Sequence, residues 1–121
     1  MENSNSNNYP PDSFTVVSTI LPIINDLVRM QQNLNFMDDS VKGVSQLKNR
    51  IKSIYGTLSS HQYEIPDLIG RSYHEGDNMI VTFENNPDMP PSTNRIKRVI
   101  KPMVSYQGKM IQAAEVIVEY N

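Results

Sequence analysis

Ile96-Lys97-Arg98-Val99-Ile100-Lys101-Pro102-Met103-Val104-Ser105-Tyr106-Gln107-Gly108-Lys109-Met110-Ile111-Gln112-Ala113-Ala114-Glu115-Val116-Ile117-Val118 is the stretch whose reading decides the fold. It is rich in β-branched residues and is punctuated by a proline and a glycine, which is the pattern of short strands separated by turns. Strands are predicted from Arg95 to Ile100, from Lys109 to Ala113 and from Glu115 to Tyr120. Tyr106-Gln107-Gly108-Lys109 supplies a hairpin turn, because glycine at its third position tolerates the left-handed backbone that tight hairpins require. Just upstream, Met79 to Phe83 is a further strand candidate, and Asn85-Asn86-Pro87-Asp88 and Pro90-Pro91 mark loops. No internal repeat is visible.

Before Pro66 the hydrophobic period is different. Phe14, Val17, Ile20, Leu21, Ile24, Leu27, Met30 and Leu34 recur three or four residues apart, the spacing of an amphipathic helix capped by Asp12 or Ser13. Pro22 lies inside that helix, where it should kink the axis and remove one donor. Asn35-Phe36-Met37-Asp38-Asp39-Ser40 is a short connection. A second stripe follows in Val41, Val44, Leu47, Ile51, Ile54, Tyr55 and Leu58, weakened towards its end by Gly56 and Ser59-Ser60. The expected class is therefore α+β. Residues 1–11 form an Asn/Ser/Pro-rich disordered tail, 12–60 a helical hairpin and 63–121 a small β domain.

A helical hairpin buries too little apolar surface to offset the entropy of ordering it, so its exposed stripe needs another surface. Pairing with a second copy is the simplest solution. It would give a dimeric four-helix bundle along Ile20, Ile24, Leu27, Leu47, Ile51 and Ile54. Docking on the chain's own β domain is the competing one.

Composition narrows the function. The formal charge of −2 gives no general attraction to nucleic acid or to anionic membrane, and the absence of cysteine excludes thiol chemistry. The polar start Met1-Glu2-Asn3-Ser4 is no signal sequence, and the apolar run broken by Pro22 and Asn25 is no membrane span, so the expected location is the cytoplasm. His61 and His74 lack the ligand spacing of a metal site, and no glycine-rich phosphate loop is present, so neither metal nor cofactor is expected. His74, Glu75 and Asp77 read as a solvated turn rather than an acid–base cluster. Nothing points to an enzyme. The run Arg95-Ile96-Lys97-Arg98-Val99-Ile100-Lys101 reads either as a strand whose charges guard an edge or as a docking surface for an acidic partner.

Three blocks, in order, resemble one family. Ile20-Leu21-Pro22-Ile23-Ile24-Asn25-Asp26-Leu27-Val28-Arg29 is similar to the LLPVLDNLERAL helix of GrpE, the nucleotide exchange factor of DnaK-type chaperones. Gly70 to Val81 falls without gaps on the family block GEPFDPNLHEAV, agreeing in the glycine, the aromatic and the final apolar pair. Ile96 to Val118 runs in register with VVEVLQKGYKLNGRVLRPAMVVV, sharing the turn glycine, the basic residue after it, Ala114 and the alternating Val116 and Val118.

The resemblance implies a homodimer with a GrpE-like β domain that binds the ATPase domain of a DnaK-type chaperone and lets ADP leave. The family arginine after the turn glycine falls on Lys109, and the apolar contact of the preceding strand falls on Ile100, with Ile111, Arg98 and Lys101 beside them. The chain departs from the pattern at four points. Only an Asn/Ser tail precedes Phe14 where the family has a long paired helix, so the likeness is to a short form. The family Gly-Tyr pair is Met103-Val104, and Gln112 stands in place of a cation. Lys109 keeps the charge but not the bidentate fork of arginine. An interaction or assembly subunit without exchange activity is therefore the second reading.

Overall fold

A computed structural model describes residues 13–121. The tail assigned to residues 1–11 and the cap at Asp12 lie outside the described residues. Helix α1 spans Ser13–Asn35 and runs through Pro22, which faces solvent. Helix α2 spans Val44–Ser60. It starts later than the hydrophobic stripe suggests, because Gly43 takes a left-handed φ of 90° and Val41 belongs to the turn before it.

Six strands follow: β1 (Tyr63–Glu64), β2 (Met79–Asn85), β3 (Asn94–Lys101), β4 (Val104–Tyr106), β5 (Lys109–Gln112) and β6 (Ala114–Tyr120). They form two three-stranded sheets, in the orders β1-β4-β5 and β2-β6-β3. In the second sheet β6 is central, parallel to β2 and antiparallel to β3.

The run 95–101 does not alternate strictly, yet Ile96 and Val99, three residues apart, are both buried. The register against β6 shifts between Ile96 and Arg98 and again between Val99 and Lys101. A bulge inserts one extra residue and so returns the second apolar side chain to the inner face. Opposite them on β6, Val118 and Val116 are fully buried, as is Ala114 at the start of that strand.

The dimeric four-helix bundle expected from the helical stripes is not what the helices form. Ile24 is 0 % exposed and, with Val28, joins a single cluster with Ile96, Val99, Val104, Val116 and Val118 of the sheets; Ile20 packs against the same cluster. Leu27 and Ile51 are buried within the chain as well, while Leu47 and Ile54 are exposed. The stripe drawn for a second copy is thus divided, with its centre already covered intramolecularly. The architecture is two helices followed by two small sheets, an α+β fold.

Amides explain how α1 reaches the sheets. Asn25 and Gln32, seven residues apart on one helix face, both reach the β region. Gln32 Nε2 donates to the Val99 carbonyl at 2.9 Å, and the Val99 N–H donates back to Gln32 Oε1 at 3.0 Å. Gln112 Nε2 donates to Asn25 Oδ1 at 2.8 Å and to the Pro102 carbonyl at 2.7 Å. On another face, α1 meets α2 where the Tyr55 hydroxyl donates to Gln31 Oε1 at 2.8 Å.

Tyr55 lines a cavity of about 270 Å³ bounded by both helices and the 65–69 segment. Burial pushes its hydroxyl up to about 12, and the Asp67 carboxylate adds to the shift. Because the folded value lies above the ordinary 10, the neutral phenol's contribution to stability is complete below pH 10 and is lost as pH rises towards 12. Urea midpoints measured across that window should fall less steeply in Tyr55→Phe than in the parent chain. Some dependence should persist, since burial and the Tyr106 phenol raise Tyr63 too.

Candidate functional site

The hairpin β4–β5 turns through Gln107 and Gly108, with φ of 52° and 80°. Two successive positive values define the tight turn whose twist matches paired strands. Glycine takes such a backbone freely, whereas Gln107 is held there by an external bond: its N–H donates to the Gln62 carbonyl at 3.0 Å. Tyr63 pairs with Tyr106 across β1 and β4, and their rings lie 4.6 Å apart. The hairpin is therefore fixed from α2's end, and it presents Lys109, directly opposite Tyr106, to solvent. Next to it Met110 is 43 % exposed, while Ile111 turns inward and packs on the core cluster.

The basic run on β3 divides by partner. Arg95 Nε donates to Glu119 Oε2 at 2.6 Å, and Asn86 Nδ2 donates to the other oxygen at 2.9 Å. These hydrogen bonds, that of Arg95 first, hold the Glu119 carboxyl below the usual carboxylate range. Lys97 pairs with Glu84 of β2 at 3.0 Å. Both cations thus tie β3 to the other strands of its sheet, Arg95 to adjacent β6 and Lys97 across it to β2. Arg98 and Lys101 are exposed and take part in no ion pair among the described residues. Arg95 and Lys97 are thus engaged within the sheet, whereas Arg98 and Lys101 keep their charge towards solvent.

The five candidate contact residues do not share one element. Lys109 and Ile111 belong to β5 in the first sheet, and Arg98, Ile100 and Lys101 to β3 in the second. The junction between the sheets runs through buried Pro102, whose carbonyl is held by Gln112. Ile100 is half-buried and lines a shallow cleft of about 390 Å³ with Arg98, Val99 and Ile117. Arg29 of α1 lines the same cleft and is also exposed and unpaired among the described residues. Sequence reasoning missed Arg29, since only the docking of α1 beside β3 makes it a neighbour of Arg98. The expected seam residues fall elsewhere: Ile20, Ile24 and Leu27 on α1, and Leu47, Ile51 and Ile54 on α2.

The two histidines serve local structure. His61 Nδ1 lies 2.9 Å from the Thr57 carbonyl at the end of α2. The Asp77 carboxylate accepts the His74 N–H at 3.0 Å, closing a turn with its own backbone. No grouping of three metal-ligating side chains occurs among the described residues, and no helix there is long and apolar enough to cross a membrane. No protein-family model and no curated protein matches this chain.

Proposed function

We propose that the chain is a protein-binding co-chaperone of the GrpE type, not an enzyme, which promotes ADP release from a DnaK-type chaperone in the cytoplasm by binding its ATPase domain. The observation that carries the reading is Lys109. It stands on an exposed, externally braced hairpin, at the position where the resembling family block has its contacting arginine. Arg98 and Arg29, which line one cleft, and Lys101 add exposed positive charge for an acidic partner. A second reading, an assembly subunit without exchange activity, is favoured by Ile111 and Gln112, which are engaged in the fold itself.

An exchange factor must prefer the nucleotide-poor chaperone, and linkage then makes ADP weaken its binding by the factor by which it weakens ADP. Lys109→Glu should weaken the complex by about 1–3 kcal/mol, roughly 5- to 150-fold, where the side chain meets a carboxylate. Lys109→Arg should preserve or improve binding. Stopped-flow release of a fluorescent ADP from the chaperone is the direct measurement. Binding with unchanged release selects the assembly reading, and no binding removes both chaperone readings.

A further inference from the structure

The two edges of the second sheet are treated differently. The β3 edge is interrupted by two register shifts and carries Arg95, Lys97, Arg98 and Lys101. It is also covered. Gly70 N–H donates to the Ile96 carbonyl and Ile96 N–H to the Arg71 carbonyl, both at 2.8 Å, and Gln32 takes both backbone groups of Val99. Bulges, cations and covering segments are the recognised means of keeping an edge strand from recruiting another chain.

The β2 edge has none of this. Its seven residues pair with β6 in unbroken register, and β2 is the last strand on that side. Apart from that pairing, its backbone makes one bond among the described residues, from Met79 N–H to the Asp77 carbonyl at its first residue. It bears one charge, Glu84, already paired with Lys97. Both of its faces carry exposed apolar groups: Ile80 is 61 % exposed on one and Phe83 56 % on the other. A long, regular, nearly uncharged edge with apolar groups on both faces is built for pairing.

We infer that the occupant is a second copy of this chain, joined β2 to β2 in antiparallel fashion about Thr82. The register argues for it. With Thr82 on the two-fold axis, Val81 faces Phe83 of the second copy, a β-branched residue against an aromatic, and Thr82 faces Thr82; both pairings favour cross-strand contact. Ile80 faces Glu84, so neither carboxylate meets a like charge. The pairing buries each exposed Phe83, the middle ring of the Tyr73–Phe83–Tyr120 row, whose centroids are 5.9 and 6.0 Å apart. The two sheets become one of six strands with β3 at each end, the edge that is already guarded. This dimer does not use the helical stripe and does not depend on the proposed chaperone function.

The absence of cysteine makes the test direct. Thr82→Cys places two thiols directly opposite, at a Cα separation of about 4.5–5.5 Å that a disulfide can span. Under mild oxidation Thr82→Cys should yield covalent dimer, whereas Ile80→Cys and Leu47→Cys should not. Sedimentation of the full chain across a dilution series should show a monomer–dimer equilibrium. Thr82→Lys should raise its dissociation constant about tenfold or more, by setting like charges face to face. Ile80→Lys should retain the dimer, because the introduced lysine faces Glu84 of the second copy. A monomer at every concentration overturns the inference, as does cross-linking through position 47, or a dimer indifferent to Thr82→Lys. Equal loss in both lysine variants overturns the register, and an edge that pairs only with an unrelated extended peptide overturns the choice of occupant.

Discussion

Ile24→Asp is expected to unfold the entire chain, while Leu47→Asp and Ile54→Asp leave it folded. Ile24 is 0 % exposed and surrounded by side chains from both sheets, whereas Leu47 and Ile54 are 54 % and 44 % exposed. An unpaired carboxylate at the first site costs several kcal/mol, a large part of the 5–15 kcal/mol that typically holds a domain together. At the other two sites it stays in water. Circular dichroism with urea titration separates the outcomes. An Ile24→Asp protein that kept a cooperative transition would show that α1 does not share the core of the sheets.

The second large effect falls on Gln32→Ala. The substitution removes the donor to the Val99 carbonyl and the acceptor of its N–H together. Leaving these partly buried backbone groups unpaired should cost about 1–3 kcal/mol. Asn33→Ala, one residue along α1 and exposed, is the control and should change the urea midpoint little. Equal midpoints for Gln32→Ala and the parent chain would mean that water replaces the amide without loss.

Much of this molecule was legible in its sequence. Both helices, the four longer strands and the Gln107-Gly108 turn follow from period and turn chemistry, because each is a local property. The two-residue β1 and three-residue β4 are too short to carry a period. The parallel pairing of β2 with β6 joins Met79 to Ala114 across the whole β region, a relation no local signal encodes. The larger error concerned α1. Asn25 and Gln32 interrupt the apolar stripe in sequence, and the stripe alone put pairing with a second copy ahead of docking on the chain's own β domain. In the fold Gln32 takes the place of a strand partner for Val99, Asn25 bonds the Gln112 side chain, and Ile24 and Leu27 are buried on either side of Asn25 by different surroundings. At the candidate site, the exposure of Lys109 follows from its place after a turn, whereas the cleft shared by Arg29 and Arg98 required the tertiary fold.

The clasp between Gln32 and Val99 also gives the molecule an internal gauge of its own opening. The Val99 amide hydrogen is shielded by a helix side chain, not by a neighbouring strand. It can therefore trade with deuterium whenever α1 lifts away, even while β3 and β6 stay zipped. Amides in the central strand β6, flanked by β2 and β3, are released only when the sheet itself ruptures. The ratio of the two exchange rates thus converts directly into the free-energy gap between partial opening and complete unfolding.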